Sequence, residues 1–140
     1  MGVLVDHQEY RKAKSSKTIL IAEDDRLLIS MLHDYIKSEF LEMTISLVYD
    51  GREALNQLSR QIPSLLIINM MMPGLTGAEV LKNLKARGIY IPTLMTSGYI
   101  KNKEEVIQLS GYPDNFLAFL HKPFKLEVLA DTIRSLLHND

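Results

Sequence analysis

The chain has 140 residues, 46% of them hydrophobic, and a formal charge of −1, which suits one domain with a single core. The near-neutral balance leaves no basic footprint for nucleic acid, and the absence of cysteine excludes a disulfide framework, a thiolate zinc site and thiol catalysis. No apolar run approaches the roughly 18 residues of a bilayer span, and residues 1–17 lack the apolar stretch of a signal peptide, so a cytoplasmic location is expected.

Residues 1–17 form a polar leader with Arg11, Lys12, Lys14 and Lys17 grouped ahead of the first strand. A solvated segment is expected there, with a contact to a partner or an upstream domain as the alternative. Thr18 to Ala22 is an apolar strand that runs into Glu23, Asp24 and Asp25. Leu27, Leu28, Met31, Leu32, Tyr35 and Ile36 then recur at helical spacing, predicting an amphipathic helix whose positive end suits the acids before it. Met43 to Val48 is a second strand, Asp50-Gly51 a turn, and Ala54, Leu55 and Leu58 mark a short helix that stops before Pro63.

The third strand, Leu65 to Ile68, is a wholly apolar run of the kind buried on both faces. It breaks at Asn69 into a Met-rich Pro-Gly loop, and a helix carrying Val80, Leu81 and Leu84 begins after Gly77 and ends near Gly88. Ile91 to Met95 is a fourth strand, with Pro92 tolerated at its start, and it delivers Thr96 and Ser97 before Gly98. Lys103 to Leu109 is a weakly apolar helix closed by Gly111, Pro113 and Asp114. Phe116 to Leu120 is a fifth strand leading into His121-Lys122-Pro123-Phe124, and Leu126, Leu129, Ile133, Leu136 and Leu137 make a closing helix. Strands alternating with helices over residues 18–138 predict an α/β domain, a doubly wound five-stranded parallel sheet with right-handed crossovers.

The strands end on polar residues: Glu23 and Asp24 after the first, Asn69 after the third, Ser97 after the fourth and Lys122 after the fifth. In a parallel sheet the carboxyl ends share one edge, so these side chains converge in one crevice. Singly, each has a plainer reading. Glu23 and Asp24 could cap and charge the first helix, Ser97 could be a turn residue, and Lys122 a surface lysine. Together they make an oxygen-rich site suited to a hard cation such as Mg²⁺, with a hydroxyl and an ammonium for a phosphoryl group. Pro123 constrains Lys122 toward extended geometry and admits a cis bond.

Ile21-Ala-Glu-Asp-Asp25, Asn69-Met-Met-Met-Pro-Gly-Leu-Thr-Gly77, Thr96-Ser97-Gly98 and Lys122-Pro123-Phe124, in this order and spacing, resemble the receiver domain of two-component response regulators (CheY-like). The resemblance covers about Lys17 to Leu137 and implies the flavodoxin-like strand order 2-1-3-4-5. It implies that Glu23 and Asp24 bind Mg²⁺, that the Met71 carbonyl joins the metal shell, and that Asn69 stands at the phosphoacceptor position. Ser97 matches the switch hydroxyl, Lys122 the ammonium that contacts the phosphorylated residue, Phe119 the aromatic switch residue, and Gly98 leaves room beside the acceptor. The implied partners are a histidine kinase or phosphotransfer protein. A homodimer is possible through the face of the fourth helix, fifth strand and fifth helix, roughly Lys101 to Gly111, Phe116 to Leu120 and Lys125 to Leu137. Neither nucleic acid nor a membrane is expected to bind this domain. The alternative is a small-molecule or flavin-binding module on the same fold.

Receivers carry aspartate where this chain has Asn69. A neutral amide cannot form the acyl phosphate and removes one negative charge from the metal shell, so phosphoacceptor and autodephosphorylation activity should be lost and Mg²⁺ binding weakened. Two readings stay open: a natural degenerate receiver acting through protein contacts, or a substitution introduced to lock an ordinary receiver unphosphorylated.

Overall fold

Short apolar runs separated by capped helical segments leave the chain few layouts. A computed structural model describes residues 17–138, so all of the predicted leader except Lys17 lies outside the described residues. The elements are β1 (Thr18–Ala22), α1 (Arg26–Glu39), β2 (Thr44–Val48), α2 (Gly51–Arg60), β3 (Leu65–Asn69), α3 (Gly77–Ala86), β4 (Thr93–Ser97), α4 (Lys103–Ser110), β5 (Leu117–His121) and α5 (Leu126–His138). The five strands form one sheet in the order β2-β1-β3-β4-β5, and every pairing is parallel.

Alternation along the strands divides the apolar residues between two faces. Ile19, Ile21, Leu65, Ile67 and Leu94 pack with Ile29, Leu32 and Ile36 of α1 and with Leu129 and Ile133 of α5. Leu20, Leu66, Ile68 and Met95 pack with Ala54 and Leu58 of α2, Val80, Leu81 and Leu84 of α3, and Val106 of α4. All five residues of β3 are buried. A fully buried Leu or Ile contributes about 1.5–3 kcal/mol, so Leu65 to Ile68 hold the backbone of Asn69 more firmly than any one polar contact does.

Several boundaries and faces differ from expectation. Leu27 is 85% and Met31 48% exposed, and Ile29 takes the core position beside Leu32 and Ile36. β4 begins at Thr93 because the Ile91 N–H is taken by the Tyr112 hydroxyl at 2.6 Å and Pro92 has no N–H to give the ladder. β5 begins at Leu117 because Phe116 N–H turns back to the Pro113 carbonyl, closing a 3₁₀ turn over Asp114–Phe116. Asn69 belongs to β3 itself, paired with Thr96, instead of opening the loop.

Candidate active site at the carboxyl edge

Ladder hydrogen bonds run one step past each strand and set the site backbone. Glu23 N–H donates to the Val48 carbonyl at 3.1 Å, Met70 N–H to Thr96 at 2.8 Å, and Lys122 N–H to Ser97 at 2.8 Å. The Lys122–Pro123 peptide is cis.

Glu23 is buried, and both of its carboxylate oxygens are engaged. Oε1 accepts from Lys122 Nζ at 2.8 Å. Oε2 accepts from the Asp25 N–H at 3.1 Å and from Asn69 Nδ2 at 3.2 Å. Burial pushes the Glu23 carboxyl above its ordinary value, against the lowering effect of the Lys122 ammonium. Asp24 is exposed, and its Oδ1 accepts from Asn69 Nδ2 at 3.1 Å. The same Nδ2 donates to the Met71 carbonyl at 2.9 Å, while the Met71 side chain is half-exposed.

The capping role open to Glu23 and Asp24 falls to their neighbour. Asp25 Oδ1 accepts from the N–H groups of Leu27 and Leu28, both at 3.1 Å, so the third acid caps α1 and frees the first two for the crevice. Asp25 also supplies the N–H that holds Glu23, a part that the run of acids before a helical pattern could have signalled.

Ser97 ends β4 and is buried, but its hydroxyl serves the next loop. Its Oγ accepts from the N–H groups of Tyr99 and Ile100, each at 3.0 Å. Phe119 is half-buried and packs against the core face shared with α2, α3 and α4. A methyl on Gly98 would meet only Lys122 Cβ, at 4.0 Å, so sterics do not demand glycine there. Gly77 is different. A Cβ there would lie 2.7 Å from the Asn69 carbonyl and 3.0 Å from Met95 Sδ. Gly77 N–H donates to Met70 at 2.7 Å, so α3 begins hard against the end of β3. The Thr76–Glu79 capping box completes that start.

The profile of the response regulator receiver domain family matches residues 19–134. The chain belongs to that family. Response regulator MprA of Mycobacterium ulcerans (strain Agy99) is 34% identical over 122 residues, 87% of this chain and 50% of that protein. The chain thus spans about half the length of the curated relatives it matches. Among solved structures, a Francisella response regulator receiver domain is 28% identical with a TM-score of 0.69, covering 86% of this chain and 95% of that one. A two-component response regulator from Clostridium difficile is 21% identical with a TM-score of 0.71, covering 86% and 94%, and speaks for the fold alone.

Receivers are signalling domains of two-component systems that work with histidine kinases or phosphotransfer proteins, and they typically bind Mg²⁺. Glu23, Asp24 and the Met71 carbonyl are hard oxygen donors of the right chemistry for that ion. In this receiver they do not fit it as they stand. Glu23 Oε2, Asp24 Oδ1 and the Met71 oxygen face the Asn69 amide, and Lys122 takes Glu23 Oε1. Among the described residues, no group of three or more His, Cys, Asp or Glu side chains could hold a metal. No helix among them is long and apolar enough to cross a membrane.

Proposed function

We propose that residues 18–138 are a receiver domain that takes no phosphoryl group at residue 69 and signals through protein contacts. The observation that carries this reading is Asn69 at the end of β3, with its side-chain nitrogen turned into the acids. In an ordinary receiver a carboxylate oxygen attacks phosphorus, the P–N bond to a phosphohistidine breaks, and an acyl phosphate results. An amide oxygen attacking in the same way would give a cationic imidate ester, with no negative charge to drive the attack.

In this reading Glu23, Asp24, Ser97 and Lys122 act as the family's site residues beside Asn69, and Phe119 as its switch residue on β5. Their hydrogen bonds serve the resting arrangement: Lys122 holds Glu23, and Ser97 holds the loop before α4. The contact surface in this reading is the face of α4, β5 and α5. α4 is its loosest part, with Val106 its one fully buried large apolar side chain and Leu109 53% exposed. A histidine kinase, a phosphotransfer protein or a second copy of the chain would dock there. A flavin reading finds no support after β1, where Glu23-Asp24-Asp25 would repel a phosphate.

The test is intact mass after incubation with acetyl phosphate and Mg²⁺. No gain is expected for this chain, and a gain of one phosphoryl group is expected for Asn69→Asp. Stoichiometric labelling of the unaltered chain at residue 69 would overturn the reading.

A further inference from the structure

We infer that the Asn69 amide stands in for the divalent cation, closing the acidic edge of this receiver without metal. The oxygens of Glu23, Asp24 and Met71 converge on a single atom, Asn69 Nδ2, at 3.2, 3.1 and 2.9 Å. That is a set of acceptors gathered around a centre of positive charge, which the amide supplies as two polarised N–H bonds, one of them shared between two of the three acceptors.

Electrostatics fixes the orientation of the amide. Turned over, its oxygen would face two carboxylates and a carbonyl with no proton between them. The ammonium of Lys122, on the other side of Glu23, completes the closure. Among the described residues Asp24 has no ion-pair partner, and it is the exposed one of the two acids, able to keep water on its outer side. No buried polar side-chain atom among the described residues lacks a hydrogen-bond partner. Both oxygens of Glu23 are therefore satisfied by the chain itself, with Asp24 Oδ1 held by the same amide, and a cation entering the site must displace the amide from all three of its acceptors.

This differs from a simple loss of one ligand charge, and the difference can be measured. If Asn69 were only a poorer ligand than aspartate, removing its side chain would weaken Mg²⁺ binding further. If the amide occupies the place of the cation, removing it must strengthen binding.

The experiment is a Mg²⁺ titration of this chain, Asn69→Ala and Asn69→Asp, followed by amide NMR shifts at Asp24 and Met71, since the chain has no tryptophan to report. Asn69→Ala is expected to bind Mg²⁺ about tenfold more tightly than the parent, equivalent to about 1.4 kcal/mol, and Asn69→Asp more tightly still. The thermal midpoint of the parent should be the same in EDTA and in Mg²⁺, whereas that of Asn69→Ala should fall in EDTA and recover with Mg²⁺. Should Asn69→Ala not fold, Asn69→Ser takes the same measurements. Equal or weaker Mg²⁺ binding by the variant lacking the amide, or a parent stabilised by Mg²⁺ as much as Asn69→Asp, would overturn the inference. No phosphodonor enters these measurements, so their failure would leave the phosphotransfer reading standing, and the reverse.

Discussion

Lys122 Nζ lies 2.8 Å from Glu23 Oε1, joining the ends of β5 and β1 across the intervening ends of β3 and β4. The Glu23 carboxylate is 3% and the Lys122 side chain 24% exposed, so the pair is unequal: the acid depends on the ammonium more than the ammonium on the acid. Lys122→Met should cost about 3 kcal/mol by chemical denaturation, at the low end for breaking a buried pair, because Asp25 and Asn69 still donate to Glu23.

That cost should depend on pH. Burial raises the folded pKa of Glu23 above its ordinary 4.5, although Lys122 opposes the shift and Asp24 adds to it. A raised carboxyl contributes stability that is present below about 4.5 and lost as pH climbs through the folded value. Without Lys122 the folded value rises further, so the deficit of Lys122→Met should shrink in acid and grow toward neutrality. Denaturation midpoints of both proteins across that range check the sign.

Gly77→Ala should be destabilised by about 1–3 kcal/mol, the cost of overpacking, because its methyl would press on the Asn69 carbonyl and Met95. Gly98→Ala, with only Lys122 Cβ nearby at 4.0 Å, should change stability by less than about 0.5 kcal/mol. Parallel urea titrations would separate a glycine required by close approach from one that is not.

Ser97→Ala removes the acceptor for the Tyr99 and Ile100 N–H groups. A loss of about 1 kcal/mol is expected, as for a helix cap. Hydrogen exchange should quicken at Tyr99 and Ile100 in that variant, while Ser97→Thr keeps the oxygen and should keep the protection.

Tyr112 is fully buried, accepting from the Ile91 N–H at 2.6 Å and donating to the Ile89 carbonyl at 3.2 Å. Tyr112→Phe should cost about 1–3 kcal/mol by leaving a buried N–H unpaired. Burial raises the phenol above its ordinary 10.0, so the stability it contributes is present below that pH and lost as pH rises through the elevated folded value. Spectrophotometric titration should find this tyrosine ionising late, and the late step should vanish in the Phe variant.

The sequence discloses most of the layout because apolar runs of strand length end on polar residues, and β1 has the predicted bounds, Thr18–Ala22. The convergence of Glu23, Asp24, Asn69 and Lys122 follows from that same regularity. The buried face of α1 is not legible in this way. Leu27, Met31 and Ile29 lie on overlapping helical stripes, and only the sheet beneath selects Ile29. The start of β4 is hidden because it depends on a tyrosine 21 residues away. Ser97 is visible as a strand-end hydroxyl, but its use as an acceptor follows from the turn after it. Asn69 is visible as an amide in place of an acid. What that amide donates to depends on where Met71 turns its carbonyl.

The central claim, that this receiver stays in one arrangement because residue 69 is an amide, is tested most directly by amide NMR before and after acetyl phosphate with Mg²⁺. The chain should show no shifts at Ser97, Tyr99, Ile100, Phe119 and Lys122, whereas Asn69→Asp should shift at all of them. Phosphodonor-dependent shifts at those residues in the unaltered chain would contradict the account.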